Sequence, residues 1–323
     1  MIRLAACATM AACCCAVDAA GAAAQVYPDK PIRVIVPFTP GGGTDILART
    51  VANKLSEGLG WQFVFDNRPG AGGTIGVDLA AKAPPDGYTM VIGQTSNLAI
   101  NPNLYAKPPY DPVRDLLPVS LLSSTPIAIM VAAKSPYAKL SDLVEAAKAK
   151  PGELTLASTG NGTVGHLSGE LLQRATGMKM IHVPYKGAMP ALPDLLGGRV
   201  TVFHSSTESA ITQSQAGTIR VLAVTSTLRV PALKNVPTTA EAGYKGVEAT
   251  TWFGYLVPAK TPPQIVARLS AETAKVLSQP AMRERMTSAG EAVPPGAEAF
   301  AALIKADLAK WGKIVRDAGL KVE

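Results

Sequence analysis

A chain of 323 residues, 47% hydrophobic and 17% charged, has the composition of a folded protein and the length for two cores, which excludes a disordered chain and a single small domain. Aromatic residues make up only 5%, and the lysines and arginines behind the net charge of +7 are scattered, which argues against a nucleic-acid partner. A basic surface of this kind also suits a small anion.

The chain opens with Met1-Ile2-Arg3, a run of small apolar residues, and Ala22-Ala23-Ala24 as an A-x-A cleavage site. That layout predicts a secretory signal peptide over 1–24. All four cysteines (Cys7, Cys13, Cys14, Cys15) fall inside it, so a chain cleaved near Ala24 would hold no disulfide and no zinc-thiolate site. Met10-Ala11-Ala12-Cys13 loosely resembles a lipobox, which leaves a lipid-anchored form as the alternative. No later stretch approaches the ~20 apolar residues of a membrane helix.

A repeated unit follows: an apolar β-branched run, a glycine-rich turn, then a helix. Strand Ile32–Val36 leads through Pro37-Phe38-Thr39-Pro40-Gly41-Gly42-Gly43-Thr44-Asp45 into a helix with Leu47, Val51, Leu55 and Leu59 at helical spacing and Gly60 as its stop. Strand Phe63–Phe65 leads into Asn67-Arg68-Pro69-Gly70-Ala71-Gly72-Gly73-Thr74 and a shorter helix. Strand Thr89–Ile92 ends in Gly93-Gln94-Thr95-Ser96-Asn97. The pattern restarts with strand Pro126–Ala132 and a helix capped by Ser141. Strand Leu154–Ala157 runs into Ser158-Thr159-Gly160-Asn161-Gly162-Thr163, and strands Met180–Val183, Val200–Phe203 and Arg220–Val224 follow. Trp252–Val257 reads as a return strand. The remainder is helical, with one stripe at Ile265, Leu269 and Val276 and another at Phe300, Ile304, Leu308, Trp311 and Val315. Strands alternating with helices predict parallel α/β sheets, here in two lobes with a cleft between them.

In such sheets the strand-to-helix turns lie at the carboxyl edge, where ligands bind. Each turn presents unpaired N–H groups at a helix N-terminus, and glycine allows close approach. The candidate anion donors are Thr39, Gly42, Gly43 and Thr44; Gly72, Gly73 and Thr74; Ser96; and Ser158, Gly160, Gly162 and Thr163. Asp45 either touches ligand or organises its own loop. His166, early on a helix with Glu170 one turn on, is either a helix-surface pair or a cleft contact; His182, within a strand, reads as structural.

Catalytic motifs are few. Gly160-Asn161-Gly162-Thr163-Val164-Gly165 matches G-x-G-x-x-G, yet Met180 to Lys186 offers no acidic residue for a ribose. There is no P-loop, no G-x-S-x-G elbow, and no metal spacing among His166, His182 and His204. No cofactor, metal or catalytic residue is assigned. An exported hydrolase or isomerase acting on a carboxylate would have only His166 as its base, and a ligand-sensing subunit of a signalling system would use the same cleft.

The motifs together carry a resemblance. Tyr27-Pro28-Asp29-Lys30-Pro31-Ile32-Arg33, the two glycine loops, Pro85-Asp86-Gly87-Tyr88-Thr89, Gly160-Asn161-Gly162-Thr163 with His166-Leu167, His182-Val183-Pro184-Tyr185-Lys186-Gly187, Leu222-Ala223-Val224-Thr225 and Pro237-Thr238-Thr239-Ala240-Glu241-Ala242-Gly243 resemble the substrate-binding receptors of tripartite tricarboxylate transporters, the Bug family, from about Tyr27 to Leu320. The resemblance implies a type II periplasmic-binding-protein fold and a periplasmic location. It also implies that the first two glycine loops hold a ligand carboxylate, partly through waters, with Ser158 to Thr163 closing from the second lobe. The partner it implies is a membrane permease with a large and a small subunit, driven by an ion gradient. The expected division is 25–125 with 251–323 as lobe one and 126–250 as lobe two, in a monomer. Phe38 and Tyr185 are candidates to line or lid the cleft. Where many members carry Asp after the strand ending at Phe203, this chain has Ser205, which points away from an amino-acid ligand and towards a plain mono- or dicarboxylate.

Overall fold

In the computed structural model, residues 27–291 and 293–317 are described; the expected signal peptide lies outside them. The elements in order are β1 (Ile32–Val36), α1 (Gly43–Leu59), β2 (Phe63–Asn67), α2 (Thr74–Ala81), β3 (Thr89–Gln94), α3 (Asn101–Leu104), β4 (Leu116–Ala132), α4 (Leu140–Ala149), β5 (Thr155–Ser158), α5 (Val164–Thr176), β6 (Ile181–Pro184), α6 (Ala188–Gly197), β7 (Val202–Ser206), α7 (Thr207–Gln215), β8 (Ile219–Val224), β9 (Thr250–Pro258), α8 (Pro263–Ser278), α9 (Pro280–Ala289) and α10 (Ala297–Asp317). One π-helical turn, Ser96–Ile100, follows β3.

The strands lie in the order β2-β1-β3-β9-β4-β7-β5-β6, with β8 also on β4. β1, β2 and β3 are parallel, as are β5, β6 and β7, while β9 and β4 run antiparallel to their neighbours. The buried parallel strands are the continuous β-branched runs of the sequence, because helices cover both faces. α1 ends where Gly60 turns left-handed at φ 70° and donates its N–H to Ser56.

β4 is the hub, and it is longer than Pro126–Ala132. Leu116 to Pro126 pairs with β9, and from Ile127 onward the strand pairs with β7 and β8. Two register shifts, between Pro118 and Ser120 and between Leu121 and Ser123, break the alternation that would mark a strand in sequence. Pro126 sits where β4 changes partners, so its missing N–H removes little from either ladder. β7 likewise runs on through His204, Ser205 and Ser206, since Ile127 and Ala128 of β4 give Ser206 and Ser205 cross-strand partners. α4 differs at its start: the Asp142 carboxylate accepts the N–H groups of Ala138 and Lys139, both at 2.9 Å, and the helix begins at Leu140 with Ser141 already inside it.

The C-terminal stripe does as its spacing predicts. Phe300, Ile304, Trp311 and Val315 are buried in the same core as Leu98, Ile100, Trp252 and Leu256. The Phe300 ring meets Trp252 edge-on at 5.4 Å and fills the space over Gly254, where a side chain would overlap it.

Candidate functional site

Four helices aim their N-termini at one cavity. Gly42, Gly43 and Thr44 open α1, Thr163, Val164 and Gly165 open α5, Gly187 and Ala188 open α6, and Ser205 and Ser206 precede α7; all line the same space, with Phe38, Gln94, Ser96, Ile127, Thr159, Thr251 and Phe253 completing the wall. The first N–H groups of each helix have no intrahelical partner, and each helix adds partial positive charge at that end. No lining side chain carries a formal charge. An arrangement of this kind is able to stabilise an anion through neutral donors alone.

The cavity is a narrow cleft of about 430 Å³, partly open to solvent. It is this narrow because the two halves touch across it. Val164 donates its N–H to Ser96 Oγ at 3.3 Å, and Ser96 belongs to a polar chain with Gln94 Nε2 at 3.4 Å and, beyond it, Thr44 Oγ1 on Gln94 Oε1 at 3.3 Å. Glycines permit the approach: a Cβ on Gly43 would lie 2.5 Å from Ser206 Oγ, and one on Gly72 2.5 Å from the Asn161 carbonyl oxygen.

The residues singled out by sequence divide into three groups. Phe38, Gly42, Gly43, Thr44, Ser96, Thr163 and Ser205 line this cavity. Gly72, Gly73, Gly160 and Tyr185 line an adjoining one of about 480 Å³, and Phe38 and Thr159 form the wall shared by both. Tyr185 is anchored there by donating its hydroxyl to Asp194 at 2.5 Å. Burial and that bond push its pKa up to about 12. Thr39, Asp45, Thr74, Ser158, Gly162 and His166 line neither cavity. Thr39 packs against Gly187 at the start of α6, and Thr74 accepts a hydrogen bond from Asn101 Nδ2 at 3.1 Å.

Asp45 organises its loop. Its buried carboxylate accepts from the Gly41 N–H at 2.9 Å, Arg49 Nε at 2.9 Å and Asn67 Nδ2 at 3.0 Å. Burial alone would raise its pKa, but these donors outweigh it and hold the carboxyl below its usual 3.8. A group with a depressed folded pKa adds stability above its unfolded value and loses it as pH falls through the folded one. Asp45→Ala strands a buried donor set and is expected to cost about 1–3 kcal/mol at pH 7, a difference from wild type in urea unfolding that shrinks at acid pH.

The histidines form a layer beneath the Ser158–Thr163 loop. Ser158 Oγ bonds the Gly160 backbone and lies 2.7 Å from His182 Nε2. The His182 ring stacks on His166 at 4.0 Å, and His166 Nδ1 accepts the Gly162 N–H at 3.3 Å. Thr163 caps α5 by accepting the His166 N–H and donating to the Gly160 carbonyl. His204, fully buried, lies 2.8 Å from Ser168 Oγ. Burial lowers His166 to about 4 and, with the neighbouring imidazoles adding to it, lowers His182 and His204 to about 3, so all three are neutral at pH 7. Among the described residues no His, Cys, Asp or Glu group is arranged to hold a metal.

Several residues carry no motif of their own. Gln94 and Thr251 line the cavity, Asn97 accepts the Gln94 N–H, and Asn101 donates to the Ala71 and Gly72 carbonyls while its other amide atom faces Gly162. For Gln94 and Asn97 the one signal is a run of buried polar residues, Gln94 to Asn97, that ends the apolar strand β3 and enters a π-turn, a geometry frequent at functional sites; Asn101 follows that turn, and Thr251 in β9 has no such signal.

Residues 47–320 match the family model described as the tripartite tricarboxylate transporter family receptor. The chain is 41% identical over 293 residues to a protein encoded in the tcbD–tcbE intergenic region of Pseudomonas sp. strain P51, covering 90% of this chain and 87% of that one. It is similar to the R. palustris protein Rpa4515 solved with adipate (38% identity, TM-score 0.86, 91% and 99% of the two chains). It is also similar to MatC of Rhodopseudomonas palustris with bound malate (31% identity, TM-score 0.83, 90% and 100%).

Proposed function

The chain belongs to the tripartite tricarboxylate transporter receptor family, and from that premise we propose that it captures a small organic carboxylate in the periplasm and delivers it to a membrane permease. It is a solute-binding receptor with the two-lobed periplasmic-binding-protein fold. The carboxylate reading rests above all on one observation: four helix N-termini converge on a cavity without a charged side chain. The adipate and malate held by two solved relatives support it.

Lobe one comprises 25–125 with 251–323 and lobe two 126–250, hinged where β4 changes partners beside Thr250. The first lobe offers the α1 terminus and Ser96, and the second offers Thr163, Ser205 and the α5 and α6 termini. Closure buries the anion between them, and the monomeric closed form is the one the permease reads. With Ser205 in place of a carboxylate, the site lacks a partner for an ammonium group, which favours mono- and dicarboxylates over amino acids.

Protein lacking 1–24 is expected to melt higher with one or more of malate, adipate, citrate and benzoate, and to be unmoved by glutamate or neutral sugars. At a hundredfold excess over Kd the gain is about 2.7 kcal/mol, well within reach of a thermal-shift assay. Stabilisation by sugars alone would overturn the anion reading.

A further inference from the structure

Asn101, the first residue of α3, is buried where two glycine loops meet. Its Nδ2 faces three oxygens of the segment that leads into α2: the Ala71 carbonyl at 3.3 Å, the Gly72 carbonyl at 3.2 Å and Thr74 Oγ1 at 3.1 Å. Three acceptors around one atom of the amide identify it as the nitrogen. The Oδ1, also buried, accepts from no donor among the described residues and faces Gly162, in the loop between β5 and α5. A Cβ on Gly162 would overlap this oxygen and would lie 2.7 Å from Leu104 Cδ2, so the bare Gly162 Cα rests against the amide, as in a Cα–H···O contact.

The same short segment touches the start of α5 a second time, through Ser96 Oγ, which accepts the Val164 N–H at 3.3 Å. Asn101 at Gly162 and Ser96 at Val164 thus flank Thr163, the residue that caps α5. Thr163, Val164 and Gly165 line the ligand cavity, and Gly72 and Gly73 line the adjoining one. Asn101 lines neither, yet its side chain joins the walls of both.

We propose that Asn101 is a positioning residue whose amide sets how closely the α5 N-terminus approaches a bound carboxylate, the nitrogen holding the Gly72 loop and the oxygen stopping Gly162. This rests on the anion-capture reading and on the closure of 25–125 against 126–250 proposed with it. Hydrogen bonds weaken steeply once stretched, and the charge of a helix end acts only near its last turn. A contact that stops Gly162 early therefore weakens every carboxylate by the same factor, whatever the rest of the ligand carries. Closure follows encounter, so the loss falls on release of the ligand.

The test combines calorimetry with stopped-flow kinetics, using those of malate, adipate, citrate and benzoate that wild type binds. Gly162→Ala, whose methyl overlaps the amide, is expected to bind each roughly tenfold more weakly, through faster dissociation with association little changed. Asn101→Ala, which strands the loop carbonyls, should also lose roughly tenfold. In the double variant the missing amide makes room for the methyl, so the combined loss should fall well short of roughly a hundredfold. The order of preference among the ligands should stay that of wild type. A merely structural Asn101 would lower the melting temperature and leave the dissociation rate and the coupling unmoved. Gly177→Ala carries the same left-handed strain in open space, and should release ligand at the wild-type rate. Wild-type dissociation in Gly162→Ala, losses that multiply in the double variant, or a changed order of preference overturns the inference and leaves the receptor reading standing. The first of these outcomes needs no folded Asn101 variant. Absence of wild-type binding to all four overturns the anion reading, and this inference with it.

Discussion

Replacing Gly72 by alanine is expected to leave a folded protein that binds its carboxylate about a hundredfold more weakly, equivalent to about 2.7 kcal/mol. The new methyl carbon would stand 2.5 Å from the Asn161 carbonyl oxygen, a backbone atom of the loop between β5 and α5. Backbone cannot rotate aside, so closure stops short and the second-lobe donors never reach the ligand. Gly72 also has φ 61°, a conformation that costs an L-residue roughly 1–2 kcal/mol, and its methyl would stand 2.7 Å from Asn101 Nδ2, within its own loop's packing. That part affects stability and leaves affinity alone. Gly177→Ala separates the two: Gly177 has φ 76° and open space around its Cβ position. It should melt lower, though by less than Gly72→Ala, and bind as wild type does. Calorimetry on both variants decides, and wild-type affinity in Gly72→Ala would mean that the lobes bind without coming this close.

Phe300→Ala is expected to destabilise the protein by about 3–5 kcal/mol in urea unfolding, the range for emptying a large aromatic site. Phe300 is fully buried and plugs the groove over Gly254 in β9. Gly254→Ala should be costly as well, since its methyl overlaps the Phe300 ring and lies 2.8 Å from the Ser120 carbonyl oxygen. The two changes are expected to be less than additive, because the cavity left by the ring gives the methyl room. Strict additivity would show that the ring and the strand do not share that space.

Much of this architecture is legible in the chain because its physics is local. Ile32–Val36 and Thr89–Gln94 are strands buried on both faces, and such strands must be continuous apolar runs; Leu47, Val51 and Leu55 repeat at the helical period because one stripe faces the sheet. β4 is less legible over Leu116 to Thr125, where two register shifts and Pro118 disturb the period that a reader counts. Within the site, local signals mark which loops matter but not which atoms face inward. Thr44 and Asp45 are adjacent on one turn, yet Thr44 lines the cavity and Asp45 turns back to Arg49 and Asn67. His166 sits in a loop motif and supports it from behind by accepting the Gly162 N–H. Gln94 and Thr251 reach the site only through long-range pairing of β3 and β4 with β9, which no single stretch of sequence records.

The placement of β9 imposes an order of assembly. Among the nineteen strands and α-helices of the described residues it is the sixteenth, yet it lies between β3 and β4, both made far earlier. Until Thr250–Pro258 arrives, β3 and β4 each present a long unpaired edge, and Phe300 has no strand to plug. The segment from the second half of β4, Ile127 onward, through β8 holds every strand of its own sheet, since β7 and β8 both pair with that half of β4. The protein therefore matures from the middle outwards: the half encoded at both ends of the chain closes last, and a translation product truncated before residue 250 would be an aggregation hazard with half its ligand site already shaped.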